Sequence, residues 1–113
     1  ALLSLSLVVA RPPARPSAMP VPALEARVHD QPRDTDAAIR LAAAYREAGR
    51  AGEARALLER AVANSPSDAR LALMLGVAVA EAEEFPEARR LFARAAERGT
   101  PRVRQAAATQ LAR

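Results

Sequence analysis

Along the middle of this 113-residue chain, apolar residues recur at spacings of three and four. From Thr35 to Ala48 they fall at Ile39, Leu41, Ala42, Tyr45 and Ala48, a broad stripe along one side of a helix. A second stripe, Ala54, Leu57, Leu58, Ala61 and Val62, predicts a helix from Gly52 to Asn64. The residues between the stripes punctuate them. Asp34 or Thr35 can accept the free N–H groups where the first helix starts. Gly49 stands just past its end, where a left-handed residue commonly stops a helix. Pro66 prevents the second from continuing. Ser67 or Asp68 then caps a third helix that runs to Ala82, and Pro86 suits the first turn of a fourth. Gly99 ends that one. Thr100 and Pro101 form a cap followed by proline at the first position of a last helix, with Val103, Ala107 and Leu111 on one face.

The stripes repeat. A shift of 34 residues lays Leu41 on Leu75, Ala42 on Gly76, Tyr45 on Val79, Ala54 on Ala88, Leu58 on Phe92 and Ala61 on Ala95. Every pair is small on small or large on large. Pro32 and Pro66 share the spacing, and Pro101 falls one residue beyond the next step. A fixed period between about 20 and 50 residues is the signature of a repeat architecture. Each helix pair has an apolar face that it cannot bury alone, so neighbours must stack. The small residues let helix backbones approach, and Leu, Tyr and Phe fill the remaining space. The expected fold is all-α, an α-solenoid of antiparallel helix pairs. Two complete repeats occupy residues 35–66 and 67–100. A partial repeat helix occupies 23–34, where Leu24, Val28 and Pro32 fit the end of a preceding second helix. Leu111-Ala112 resembles Leu41-Ala42 and Leu75-Gly76 after a two-residue slip. Residues 101–113 are therefore either a short capping helix or a truncated third repeat.

Composition agrees with helices. Arg supplies all 17 basic charges, no Lys is present, and aromatics are 3%. Ala, Leu, Arg and Glu favour helix, and strand formers are too few for a sheet. The absence of Cys excludes disulfides, a thiol nucleophile and a Cys-based metal site. Net charge is +4, with +1 over residues 1–34, 0 over 35–68 and +3 over 69–113. Such an excess suits a solvated helical surface and argues against a nucleic-acid binder, which shows a denser basic stripe.

The N-terminal end differs from the rest. ALLSLSLVVA, residues 1–10, is shorter than the about 20 residues that cross a bilayer as a helix. It matches the end of a signal-peptide apolar core, with Val8 and Ala10 at the small positions before a cleavage point. No basic region leads it, which reads as a chain beginning inside such a segment. Arg11 and Arg15 just after it lean against export. Residues 11–22 hold five of the nine prolines and read as an extended linker. The expectation is a signal peptide or membrane anchor at 1–10. It places the chain membrane-anchored or exported to a periplasm, on a bacterial-type membrane. The Ala- and Arg-rich composition without Lys suggests a GC-rich genome.

The repeat is similar to the tetratricopeptide repeat. Leu41-Ala42, Tyr45, Gly49, Ala54, Leu58, Ala61 and Pro66 fill one unit of that family's pattern. Leu75-Gly76, Ala88, Phe92 and Ala95 fill a second. The pattern's Trp is replaced by Ala38 and Ala72. In the second unit Val79 stands for the Tyr, Glu83 for the Gly between helices and Thr100 for the closing Pro. The resemblance implies a scaffold for protein–protein interaction that binds a peptide or helix in a concave groove. By that mapping the first helices line the groove with Asp36, Ile39, Arg40, Ala43, Arg46 and Glu47, then Arg70, Leu73, Met74, Val77 and Glu81. The alternative for Ile39, Leu73 and Val77 is packing against neighbouring hairpins. Some members grip a C-terminal carboxylate through Lys, Asn and Arg on these helices. Ile39 and Ala43 stand at the Lys and Asn sites here, which argues against that mode.

No catalytic constellation is present. His29 is the single histidine and has no Cys or second His beside it. Ser4, Ser6, Ser17, Ser65 and Ser67 lack a partner base. Glu81, Glu83 and Glu84 lack the spacing of a calcium loop, and four glycines form no phosphate loop. The chain reads as a non-enzyme that needs no cofactor and no metal. Its partner is a protein or peptide. Membrane contact is left to residues 1–10. Arg89, Arg90, Arg94, Arg98, Arg102 and Arg104 form the densest basic region. Two rival readings stand beside the scaffold: a basic surface for nucleic acid or anionic lipid, and a non-catalytic segment of a larger enzyme.

Overall fold

A computed structural model describes residues 19–113. The apolar end and most of the proline-rich linker lie outside the described residues. The helices follow in order as α1 (Val21–Asp30), α2 (Thr35–Glu47), α3 (Ala51–Asn64), α4 (Ala69–Glu81), α5 (Phe85–Arg98) and α6 (Pro101–Leu111). The described residues contain no strand.

Caps set where the helices start. The Asp34 carboxylate accepts from the Ala37 N–H at 3.1 Å, so Asp34 rather than Thr35 opens α2. That backbone bond foremost, with the Arg27 guanidinium at 2.9 Å, holds the Asp34 carboxyl below its ordinary range. Asp68 rather than Ser67 opens α4, accepting from the Arg70 N–H at 2.9 Å. Burial pushes the Asp68 carboxyl up, but its bonds to the Arg70 side chain and backbone outweigh that, and its pKa is lowered. Thr100 accepts from the Val103 N–H and opens α6.

Two boundaries correct the sequence reading. Helix α1 begins at Val21, two residues inside the expected linker, because Pro22 sits in the first turn, where its missing N–H costs nothing. The second concerns α6. Leu41, Leu75 and Ala107 each stand seven residues past their cap. Ala107 is fully enclosed, whereas Leu111 is 38% exposed. Leu111-Ala112 therefore does not take the place of Leu41-Ala42. The cap, not the dipeptide, sets the register.

Each helix packs on the next one in the chain, and α4 also touches α2 and α6. The backbones of α1, α3 and α5 do not approach one another closely. One layer, α2–α4–α6, is thus drawn together while the other splays, which makes the α2–α4–α6 side the concave one. Between the layers lie Leu41, Ala42, Tyr45, Ala54, Leu58 and Ala61 of the first repeat, all buried. Leu75, Gly76, Ala88, Phe92 and Ala95 of the second are buried too.

The α2–α3 turn passes through Gly49 at φ +77°, the left-handed conformation that glycine adopts without cost. In the second repeat Glu83 holds the same conformation at φ +62°. A side chain there costs about 1–2 kcal/mol. Glu83→Gly is expected to raise stability by about 1 kcal/mol, after the extra freedom of glycine in the unfolded chain is set against that strain. Urea unfolding followed by circular dichroism checks it. An unchanged or lowered midpoint would show that the turn is unstrained.

Candidate functional site

The concave face is built on helix spacing. On α2, Asp36, Ile39, Arg40, Ala43, Arg46 and Glu47 stand at i, i+3, i+4, i+7, i+10 and i+11, so they share one side. On α4, Arg70, Leu73, Met74, Val77 and Glu81 likewise share one side. Ion pairs join the two sides at both ends. Arg70 reaches Asp36 at 2.9 Å, and Arg46 reaches Glu81 at 2.8 Å. Their polarity is opposite: the acid is on α2 at one end and on α4 at the other. These groups are exposed, so the pairs add little to stability and chiefly fix how α2 lies against α4.

Between the two pairs runs an apolar strip. Ile39, Leu73, Met74 and Val77 are half-buried, each packing partly on the core and keeping part of its surface open. Ala43 is exposed and leaves a shallow gap beside them. Arg40 and Glu47 are exposed and, among the described residues, form no ion pair. Four charged residues of the expected groove thus satisfy one another. What remains for a ligand is the strip with Arg40 and Glu47 at its border.

The outer layer is tied differently. The Tyr45 hydroxyl donates to Glu25 Oε2 at 2.6 Å and pins α1 onto α2. That bond, then burial, raises the Tyr45 pKa above its ordinary value. The Arg50 guanidinium lies 4.5 Å above the ring centre and holds Glu53 with two hydrogen bonds of 2.7 and 2.6 Å. Val79 replaces this tyrosine in the second repeat and cannot repeat the tie. There Arg55 of α3 bonds Glu84 instead. Asp36 with Arg70, and Arg46 with Glu81, stand about one period apart, so a search for opposite charges at that spacing would have revealed both. Glu25 and Glu84 carried no such signal.

Among the described residues, the clefts that hold His29, Ser65 and Ser67 bring no catalytic set together. His29 is exposed on the wall of an open cleft of about 430 Å³ between α1 and α3, with Glu25, Tyr45, Arg60 and Asn64. No serine or threonine lines it. Ser65 and Ser67 lie by a different cavity without a histidine. Glu81 and Glu84 are engaged by Arg46 and Arg55. Among the described residues no three His, Asp or Glu side chains converge as metal ligands. No described helix is long and apolar enough to cross a membrane.

Stacked helix hairpins with one layer in contact, repeating every 34 residues, define an α-helical repeat protein. Residues 45–111 match the tetratricopeptide repeat, and the chain belongs to that family. No curated protein matches it. Repeats of this family mediate protein–protein interaction and typically serve as non-catalytic scaffolds.

Proposed function

We propose that the concave face of α2 and α4 docks one segment of a partner protein, as a scaffold in assembling a bacterial envelope complex. The observation that carries this is the half-buried strip of Ile39, Leu73, Met74 and Val77 between the Asp36–Arg70 and Arg46–Glu81 pairs. The pairs hold the two walls at a fixed distance, so the strip stays open at no cost when a ligand arrives. An amphipathic segment, extended or helical, would bury its apolar side there and meet Arg40 with an acidic group. In this reading residues 1–10 tether or export the module and residues 11–20 space it from the bilayer. The apolar run supports that. Cell fractionation with and without residues 1–10 checks it, and unchanged partitioning would remove the tether.

The groove is tested on the full chain with a photo-crosslinking side chain at Ala43, with and without Leu73→Glu plus Val77→Glu. The expected result is one crosslinked protein, identified by mass spectrometry. Capture should fall at least about tenfold in the double variant while its circular dichroism stays helical. Equal capture by the folded variant would refute the groove. Loss of helix in the variant would place both residues in the core and refute it equally.

A further inference from the structure

Charge divides sharply along the stack. Residues 19–84 hold eight arginines against eleven acidic residues, and residues 85–113 hold seven arginines against two glutamates. Dividing the chain at 68 hides this, because Glu81, Glu83 and Glu84 then count with the basic end. Pairing follows the same division. Over α1–α4, Arg27, Arg46, Arg50, Arg55 and Arg70 each reach a carboxylate. Over α5 and α6 only Arg90 does, to Glu87 at 2.5 Å. Among the described residues Arg89, Arg94, Arg98, Arg102 and Arg104 have no ion pair.

We propose that this arginine-rich end, α5 with α6, is a second docking surface, and that it takes a flexible acidic segment of a polypeptide. The inference does not rest on the concave groove. Arg94 and Arg98 lie one turn apart on the same side of α5. Arg98 borders an open cavity of about 440 Å³ with Ser67 and Thr100, whose hydroxyls can donate to a carboxylate, and with Asp68, whose charge Arg70 already balances at 3.2 Å. Unpaired guanidiniums with hydroxyl donors nearby are what Asp and Glu side chains seek.

The arrangement favours that occupant over two others. Arg102 and Arg104 are two residues apart on α6 and leave it on opposite sides. The arginines therefore wrap around the end of the stack. A flat anionic bilayer would meet only some of them, whereas a flexible chain can follow the curve. Single-stranded nucleic acid can follow it too, but it gains much of its affinity by stacking on exposed aromatic rings. Phe92 is buried, and Phe85, 56% exposed, stands at the acidic α4–α5 turn.

The test uses the full chain and fluorescence anisotropy of labelled oligoglutamate. One variant carries Arg94→Gln, Arg98→Gln and Arg102→Gln. A control carries Arg15→Gln, Arg33→Gln and Arg60→Gln, which removes the same charge outside α5, α6 and the groove. Affinity should fall about tenfold or more in the first and less than about threefold in the control. Equal losses would reduce the effect to net charge and overturn the proposal. So would tighter binding of oligothymidylate or phosphatidylserine vesicles at the same salt, or no binding by the wild type. If the triple variant loses helix, Arg89→Gln with Arg104→Gln is read by the same criteria.

Discussion

Phe92→Ala is expected to destabilise the stack by about 3–5 kcal/mol, enough to remove most of the stability of a domain this small. The ring is 4% exposed, on the α5 face that meets α4. It also explains why Gly76 has no side chain. A Cβ there would stand 2.7 Å from Phe92 Cε1 and 2.9 Å from Cδ1, closer than such atoms approach. The two positions are therefore coupled. Gly76→Ala alone gains about 1 kcal/mol of helix propensity but pushes against an enclosed ring, and the expected net effect is destabilising. In a Phe92→Ala background the ring is gone and only Leu91 Cβ, at 3.3 Å, stays close, so the same substitution should stabilise. Denaturant unfolding of the four proteins in the cycle measures both. If Gly76→Ala has the same sign in both backgrounds, the ring is not what excludes a side chain at 76.

Ala42→Leu should fail in the opposite way. Ala42 has no exposed surface, and a leucine brings three extra carbons into a site without space. The expected cost is at the upper end of about 1–3 kcal/mol, because α2 must move away from its neighbours to make room. Ala48→Leu, an equal change at an exposed position just past α2, serves as the control and should be close to neutral. Midpoints by circular dichroism settle it. A neutral Ala42→Leu would show that small residues are not what brings these helices close.

Much of this fold was legible because its determinants are local. Asp34, Asp68 and Thr100 announce helix starts, Gly49 and Pro66 announce ends, and the 34-residue spacing of Leu41 and Leu75 announces stacking. The last helix was misread because Leu111-Ala112 matched as letters. Its cap at Thr100 had already placed Ala107 at the buried position. The candidate site was harder for a physical reason. Asp36 and Arg70 are separated along the chain and adjacent only after the hairpins stack, so sequence shows two charges where the fold has a neutral pair. The reverse holds at the other end. Arg94 and Arg98 stand out in sequence only as part of the densest basic region, and the fold leaves both without an ion pair among the described residues.

Contacts in this molecule join helices that are consecutive or next but one along the chain. Forming them closes only short loops, so little chain entropy is lost before packing begins to compensate. The search is accordingly brief, on the order of microseconds to milliseconds for helical topologies of this kind. It also has no compulsory starting place: either hairpin can form first and template the other. A chain emerging from the ribosome can thus begin to pair the helices of residues 35–66 before residues 67–100 exist, and the next hairpin then buries the face left open.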